Sequence, residues 1–179
     1  DGSIALTQKG HVFIRFTLDR KYRGVARECA VAIANSSPAR VSWYDRPRGG
    51  LIILQASGGY WLDLFPQHGP GKKHERKIEL VPWQLVITHQ FPREFIRGLI
   101  HSDGSRCINR FSVKLPSGRL GRYEYPRYFF TNYSADIRGI FCDHCDLLGI
   151  RWTQSNPRNI SVSHRESVAV LDSFVGPKR

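Results

Sequence analysis

A weak internal repeat restricts the fold of this chain more than any other feature of its sequence. The tripeptide Asp1-Gly2-Ser3 returns as Asp103-Gly104-Ser105, at a spacing of 102 residues. Four matches in one order predict two pseudo-symmetric halves, residues 1–90 and 91–179. The other three pairs are residues 40–43 with 149–152, residues 51–56 with 159–163, and Leu62-Asp63-Leu64-Phe65 with Leu171-Asp172-Ser173-Phe174, the last pair followed in both copies by Gly-Pro.

Hydrophobic periodicity predicts the same order of elements in both halves. Apolar and polar residues alternate through 11–18, as in a strand with one buried face and one exposed, partly basic face. A charged linker at 69–80 separates the halves, and Pro92 begins a new helix. We expect mixed α/β (α+β) halves, each with a curved antiparallel sheet covered by helices on one side. The predicted hairpins are 4–7 with 11–18 and 107–114 with 123–132, and the predicted helices are 25–34, 60–65, 135–148 and 166–174.

The chain is strongly basic, which favours a polyanionic partner. It has 27 Lys and Arg against 15 Asp and Glu, a net charge of +12, and the two halves share this charge equally. Arg outnumbers Lys by 20 to 7, and guanidinium groups suit phosphates and the guanine edge better than ammonium groups do. A high-GC genome explains part of that ratio but not the total charge. Nucleic-acid binding is therefore favoured over a charge that only confers solubility.

The sequence also bears on where the protein acts. No apolar run approaches the roughly 18 residues of a membrane helix, and the chain does not open with a leader peptide, so we expect no membrane partner. The 4 cysteines do not make a disulfide scaffold in a chain of 179 residues. We expect a cytoplasmic, nucleoid-associated protein. The lack of methionine suggests a piece of a longer reading frame.

The segment 95–104, Phe-Ile-Arg-Gly-Leu-Ile-His-Ser-Asp-Gly, carries the most information about function. Its apolar residues have helical spacing, and Gly98 and Ser102 are small residues four apart, which lets a second helix approach closely. We expect the helix to end at Gly104 in a left-handed cap. Asp103 then lies at the negative end of the helix dipole, which disfavours a carboxylate by up to about 1 kcal/mol. Two such carboxylates side by side require a cation between them, so the pattern predicts a magnesium-type site.

Residues 96–104, Ile-Arg-Gly-Leu-Ile-His-Ser-Asp-Gly, resemble the LAGLIDADG motif of homing endonucleases. They keep the Gly-Leu-Ile core and the terminal Asp-Gly, whereas His101 replaces the usual acid at the sixth place. Asp1-Gly2 resembles the tail of a first motif, and the likeness extends over the whole chain, most of all to actinobacterial members. The resemblance implies two αββαββα halves with saddle-shaped sheets that carry a DNA duplex, and a full-length pseudo-dimer that acts as a monomer.

The resemblance further implies an enzyme, a site-specific double-strand DNA endonuclease associated with an intein or intron. It would hydrolyse phosphodiester bonds with Mg²⁺ or another divalent cation. A lysine near the scissile phosphate would stabilise the pentacovalent phosphate or help to activate water. The implied metal ligands are Asp1 and Asp103 with the neighbouring Gly2 and Gly104; the candidate lysines are Lys77 and Lys178, while Lys72 and Lys73 compete with Lys77, contact DNA, or belong to a solvated linker.

The exposed faces of the two hairpins are expected to contact DNA. Arg is suited to guanine and Asn to adenine, although any one Arg could contact a phosphate instead. Residues 123–133 are rich in aromatic side chains, and we expect two of them, Tyr128 and Phe130, in the core of the sheet. The candidate contacts are Arg15 and Thr17 in the first half, and Ser105, Asn109, Tyr125, Arg127 and Thr131 in the second.

Other interpretations stay open at this point. A protein with this fold could bind DNA as a transcriptional regulator that no longer cuts, or bind RNA as a splicing helper. The tetrapeptide Cys142-Asp143-His144-Cys145 could bind zinc, but one Cys-x-x-Cys without a second pair is a weak signal. Positions three apart on a helix usually face the core, so we expect both cysteines there.

Overall fold

The computed structural model describes residues 2–179, so Asp1 lies outside the described residues. The described chain forms two compact units, residues 2–70 with Pro177–Arg179 and residues Gly71–Gly176. They are named the first unit and the second unit below. The predicted boundary after residue 90 divides the chain by its sequence repeat, whereas these units are divided by their internal contacts. The boundary after residue 90 stays a prediction.

The first unit contains one four-stranded antiparallel sheet with helices on one face. Apolar side chains such as Ile14 on β2 and Leu54 on β4 pack against Ala26 of α1 and Trp61 of α2. In this sheet, and likewise in the sheet of the second unit, the face opposite to the core is named the open face. The elements are β1 (Gly2–Leu6), β2 (Val12–Asp19), α1 (Arg23–Asn35), β3 (Ser42–Arg46), β4 (Leu51–Ser57) and α2 (Trp61–Leu64), and the strand order is β1-β2-β4-β3.

The second unit repeats this arrangement with its own core. Tyr128 and Phe130 on β6 pack against helices that include α4 and α5, through Ile96 and Phe141. The sheet has the order β5-β6-β8-β7, which matches the first sheet and confirms the predicted fold class. The elements are α3 (Pro82–Gln90), α4 (Pro92–Asp103), β5 (Gly104–Lys114), β6 (Leu120–Thr131), α5 (Ala135–Leu147), β7 (Thr153–Asn156), β8 (Asn159–Val162) and α6 (Arg165–Phe174). None of the helices in residues 2–179 is long and apolar enough to cross a membrane.

The registers of the two hairpins show where the repeat is interrupted. Gly2 pairs with Phe16 in the first sheet, and Gly104 pairs with Phe130 in the second. These partners are 14 residues apart in the first hairpin and 26 apart in the second. The second hairpin is therefore 12 residues longer. Residues that follow it are no longer 102 positions from their counterparts in the first half.

Two features of the fold differ from the sequence patterns. Helix α3 is not predicted, because its apolar residues, among them Val86 and Ile87, are exposed and show no buried stripe. The outer strands β3 and β7 begin at Ser42 and Thr153, two and four residues after the starts of the repeated segments 40–43 and 149–152. All four residues of β7 are polar and exposed, so hydrophobic alternation cannot mark this strand.

The predicted left-handed cap at Gly104 is wrong. Gly104 has φ −103° and ψ 169°, an extended conformation, and its amide donates to the carbonyl of Ile100 as β5 begins. A Cβ at this position would lie 2.7 Å from Ile100 Cα and 2.9 Å from Ile100 O. Glycine is needed here because two backbone segments approach closely, not because φ is positive.

The two cysteines of the Cys-x-x-Cys tetrapeptide lie in the core, as predicted. Cys142 is 6% exposed and Cys145 is fully buried. Burial raises the pKa of the Cys142 thiol to about 12, and it raises the pKa of Cys145 as well. Both thiols are therefore protonated at neutral pH, and within residues 2–179 no three His, Cys, Asp or Glu side chains are grouped to bind a metal ion.

His144 is a buried histidine held in its neutral form. Its side chain is only 1% exposed, and Nδ1 donates to the carbonyl of Ile140 at 2.7 Å, so the proton of the neutral ring is on Nδ1. Nε2 is buried and has no hydrogen-bond partner among the described residues. Burial, reinforced by the neighbouring His89, lowers the pKa of His144.

The contact at Gly104 predicts a large effect of one methyl group. Gly104→Ala should destabilise the second unit by roughly 1–3 kcal/mol, because the new Cβ meets backbone that cannot move aside. Gly139→Ala is the matched control, since a Cβ on this exposed α5 residue meets nothing within 4 Å and should stabilise the helix by about 0.5–1 kcal/mol. Urea unfolding measures both, and equal midpoints for the two variants would contradict the steric argument.

The buried imidazole of His144 predicts a pH-dependent stability. An unfolded histidine titrates near pH 6.5, whereas the folded pKa is lower, so the unfolded state binds more protons as the pH falls below about 6.5. The free energy of unfolding of the second unit should therefore fall between pH 7 and pH 5. His144→Gln should flatten that dependence in urea titrations, and His11→Gln, at an exposed position, should not. Equal pH dependence in both variants would argue against the buried imidazole as the cause.

Candidate nucleic-acid interface

The strand registers place all seven predicted sheet contacts on the open faces. In β2, Arg15 and Thr17 alternate with the core residues Ile14 and Phe16. In the second sheet the predicted core residues Tyr128 and Phe130 are 2% and 1% exposed, so that prediction is confirmed. The open face of the second sheet carries Ser105, Asn109, Tyr125, Arg127 and Thr131. Their contact with DNA stays a prediction.

Two arginines of the open faces, Arg15 and Arg127, have neutral partners. Arg15 donates to the side-chain oxygen of Gln55 at 3.1 Å, and its guanidinium lies 5.0 Å from the ring centroid of Phe13. In the second sheet, Arg127 donates to Ser161 Oγ at 2.7 Å and lies over the ring of Phe129 at 4.3 Å. These contacts orient the guanidinium groups without neutralising them, so each keeps its charge for an anionic ligand.

Two arginines on the other side of the second sheet, Arg106 and Arg110, are paired with acids. Arg106 forms two hydrogen bonds with Asp172 of α6, at 2.7 and 2.9 Å, and Tyr128 donates to the same carboxylate at 2.6 Å. The hydrogen bond from Arg106 is the main reason that the pKa of Asp172 is lowered. Arg110 pairs with Glu124 at 2.8 Å on the same side of the hairpin as Arg106. The charges of Arg106 and Arg110 are thus compensated by acids, whereas Arg127 on the open face has a neutral partner.

The first unit shows the same division between paired and unpaired arginines. Arg20 and Arg23 both donate to Asp45 at 2.7 Å. Their hydrogen bonds lower the pKa of Asp45. Among the described residues Arg15 on the open face has no acid partner, and it resembles Arg127 of the second unit in this respect.

The sequence reasoning missed an aromatic cluster on the open face of the long hairpin. Phe111 stacks on Tyr123 with ring centroids 5.3 Å apart, and Tyr125 meets Phe111 edge-on at 5.9 Å. Phe111 and Tyr123 are 42% and 47% exposed. Period-two alternation of the aromatic residues with charged ones was the available signal. Exposed aromatic rings of this kind can contact bases or the methyl group of thymine.

Asp103 is the last residue of α4 and is held by one neighbour. Its carboxylate is half-buried, and Asn132 Nδ2 donates to its Oδ2 at 3.0 Å. From residues 2–179 no hydrogen bond reaches the other carboxylate oxygen, Oδ1. Asn132, which follows β6, was not among the predicted site residues; the sequence signal was an Asn two residues before Ser134, the residue that caps α5.

The small-residue face of α4 is exposed. Gly98 and Ser102 are both accessible to solvent, and a Cβ added to Gly98 would meet no atom within 4 Å. Arg97, on a neighbouring face, donates to the carbonyl of Val175 at 3.1 Å. The role predicted for this surface, close contact with a second helix, stays a prediction.

The candidate lysines lie outside the sheets. Lys77 donates to Glu79 at 2.7 Å, and this contact raises the pKa of the lysine. Both side chains are largely exposed, which makes such a pair weak and easily exchanged. Lys72 pairs with Glu75 at 3.0 Å and Lys73 begins a short 3₁₀ turn, while Lys178 lies 5.3 Å from the ring of Tyr22 in the first unit. Which of them acts on DNA stays a prediction.

The donors at Asp103 fit a magnesium-type ion better than a transition metal. The described part of the chain offers one carboxylate with a free oxygen, beside the main chain of Gly104. Mg²⁺ usually keeps several waters and binds one or two carboxylates together with phosphate oxygens of a substrate. Zinc is instead bound by three or four protein ligands, most of them cysteine or histidine. Asp1, the second predicted ligand, lies outside the described residues.

Comparison with known proteins identifies the fold. No family model matches the chain, and no curated protein matches it. Among solved structures, the LAGLIDADG meganuclease I-AabMI bound to uncleaved DNA is 12% identical over 97% of this chain and 78% of its own, with a TM-score of 0.54. The homing endonuclease I-LtrWI bound to target DNA is 8% identical over 98% and 80%, with a TM-score of 0.56. I-SmaMI bound to cleaved DNA is 9% identical over 98% and 79%, with a TM-score of 0.53.

These likenesses confirm, for the fold, the resemblance drawn from the motif. The chain has the fold of the LAGLIDADG homing endonucleases, with two four-stranded antiparallel sheets and helices in the matching order. At 8–12% identity the likeness reaches the architecture and not the activity.

Proposed function

We propose that this chain is a site-specific endonuclease of the homing type, which binds duplex DNA on its two open faces and hydrolyses phosphodiester bonds with a divalent cation. The observation that carries the proposal is the sorting of charge in this fold. Arg15 and Arg127 have neutral partners on the open faces, whereas Arg106 and Arg110 of the second sheet are paired with acids. A net charge of +12 arranged in this way is suited to a polyanion.

Within this proposal the residues of the open faces divide into two kinds of contact. Arg15 and Arg127 present guanidinium groups that fit phosphates or the guanine edge. Asn109 and the aromatic cluster next to it can distinguish base pairs through adenine and the thymine methyl group. Ser105, Thr17 and Thr131 are suited to phosphate or base-edge hydrogen bonds. The target sequence is thus read from side chains on strands, which the sheets hold rigidly.

Asp103 would hold the divalent cation, with Gly104 beside it and Asp1 as the ligand expected from the repeat. When bound, such a cation polarises the phosphodiester and lowers the pKa of a water molecule. A lysine at its ordinary pKa is charged near neutral pH, and the contact with Glu79 raises the pKa of Lys77 further. Lys77 would therefore stabilise negative charge on the phosphate, and Lys178 is the candidate for the same role from the first unit.

Two further parts of the proposal concern organisation. The halves 1–90 and 91–179 would each supply one Asp-Gly step and one hairpin to a single DNA site, so the full-length protein would act as a monomeric pseudo-dimer. Action on DNA in the cytoplasm, near the nucleoid, and association with an intein or intron follow from the same proposal.

The charge pattern predicts unequal effects of two arginine substitutions in one hairpin. Arg127→Ala should weaken binding to duplex DNA and reduce the slope of log affinity against log salt by about 1, because one phosphate contact is lost. Arg110→Ala removes the same charge, but from the pair with Glu124, and should change neither quantity appreciably. Fluorescence anisotropy at several salt concentrations measures both. Equal losses in the two variants would mean that binding depends on net charge and not on the open face.

The assignment of Asp103 predicts a selective loss of cleavage. A site is first selected from a random duplex library and placed in a plasmid. Asp103→Asn should lower Mg²⁺-dependent cleavage by more than the roughly 10–100-fold typical of residues that only support a ligand, while DNA binding persists. Asp143→Asn makes the same charge change at an exposed position of α5 and should cut normally.

The same experiment separates the nuclease from the regulator. If the unmodified chain binds its selected site but leaves the plasmid intact in both Mg²⁺ and Mn²⁺, the proposed cleavage is wrong and a non-cutting DNA-binding protein is the better conclusion. If it binds single-stranded or structured RNA more tightly than any duplex DNA, the splicing helper is favoured instead.

A further inference from the structure

The Asn132 side chain connects the candidate metal ligand Asp103 to a rigid turn. Asn132 follows β6 and precedes α5, whereas Asp103 ends α4. We propose that Asn132 is a positioning residue, which orients the Asp103 carboxylate for a divalent cation by holding Oδ2 and leaving Oδ1 free. This inference rests on the proposed function, because it concerns the same cation.

The direction of this hydrogen bond follows from the surrounding donors. The Ser134 amide can only donate, and it meets one end of the Asn132 amide group at 2.9 Å, so that end must be the carbonyl oxygen. The other end is then the NH₂ group, which lies 3.0 Å from Asp103 Oδ2. Flipping the side chain would place two donors together and two acceptors together, and is therefore excluded by the network.

The backbone of Asn132 is fixed as firmly as its side chain. Its amide donates to the carbonyl of Arg158 at 3.0 Å, and its carbonyl accepts from Arg138 Nη1 at 2.6 Å. Arg138 also donates to the carbonyl of Tyr133 at 3.1 Å. The NH₂ group therefore points at Asp103 before any ligand binds, which is the requirement for a supporting residue of a binding site.

The chemistry of an amide donor suits this role. A lysine or arginine at the same position would also fix Asp103, but its positive charge would oppose a cation on the same carboxylate. The neutral NH₂ group holds Oδ2 and leaves the charge of Asp103 available. Carboxylates that bind metal ions in proteins are commonly oriented by such hydrogen bonds, and loss of the supporting partner typically costs about 10–100-fold in metal affinity.

The arrangement belongs to the second unit. Gly2 pairs with Phe16 and Gly104 with Phe130, so Asn132, two residues after Phe130, corresponds to Leu18 in the first sheet. Leu18 packs against the apolar core of the first unit and has no hydrogen-bond donor in its side chain. The repeat is thus broken at this position, where a core residue in one copy is replaced by a polar contact to Asp103 in the other.

The test compares two asparagines with the same local turn. In Asn132→Ser the hydroxyl can still accept from the Ser134 amide, but it is too short to reach Asp103. Asn156 likewise accepts from two following amides, of Arg158 at 2.9 Å and Asn159 at 3.0 Å. Within residues 2–179 its side chain has no hydrogen bond to a carboxylate of the site, so Asn156→Ser is the matched control. Asn132→Leu, which adopts the residue of the first unit, is a second variant in case Asn132→Ser folds poorly.

The readout is Mn²⁺ binding, measured by calorimetry on the whole chain with its selected duplex, beside the Mn²⁺ concentration that gives half-maximal cleavage. Asn132→Ser and Asn132→Leu should each raise the Mn²⁺ dissociation constant and the Mn²⁺ concentration for half-maximal cleavage by about 10–100-fold. The affinity for DNA without metal should stay unchanged. Asn156→Ser should change none of them. Urea unfolding of all three variants shows whether the second unit is intact.

Each remaining outcome overturns a different statement. If Asn132→Ser binds Mn²⁺ as the unmodified chain does while Asp103→Asn loses it, the positioning role is wrong and the proposed function stands. If Asp103→Asn also binds Mn²⁺ normally, the metal role of Asp103 fails, and the positioning role fails with it. If Asn132→Ser and Asn156→Ser weaken binding equally, the effect is a general loss of turn structure, which also refutes the proposal.

Discussion

The direct passage from α4 into β5 is the contact on which the second unit depends. Helix and strand are joined with no intervening loop, because the Gly104 amide completes the last helical hydrogen bond while its own backbone is already extended. A residue with a side chain does not fit against Ile100. This joint ties the position of Asp103 to the sheet that carries the open face. Because residue 104 has no side chain, the Asp103 carboxylate is held in a fixed position relative to the sheet.

Charge in this chain is organised by pairing rather than by position in the sequence. Asp172 of α6 pairs with Arg106, and Asp45 pairs with Arg20 and Arg23. Arg15 and Arg127 on the open faces are instead held by neutral groups, Gln55 and Ser161. The pairing of individual arginines decides where positive charge is left without an acid, and this pattern cannot be obtained from the net charge of +12.

The sequence predicts the fold well where burial alternates regularly, and less well where contacts are polar. The hairpins, α5 and α6, and the core positions of Tyr128 and Phe130 follow from periodicity, since apolar side chains must leave water. Helix α3 and strand β7 cannot be predicted from periodicity, because neither has a regular row of buried apolar side chains. The conformation of Gly104 and the contact of Asn132 with Asp103 join segments that only the folded chain brings together, and no local pattern encodes them.

The 12 additional residues of the second hairpin have a consequence for symmetry. β5 has 11 residues where β1 has 5, which makes it about 20 Å longer at the usual rise of roughly 3.4 Å per strand residue. That rise is close to the spacing of base pairs in B-form DNA. Under the proposed function, the two units would cover segments of DNA of unequal length. The recognised sequence would then be non-palindromic, and it would determine the orientation of the protein on its target.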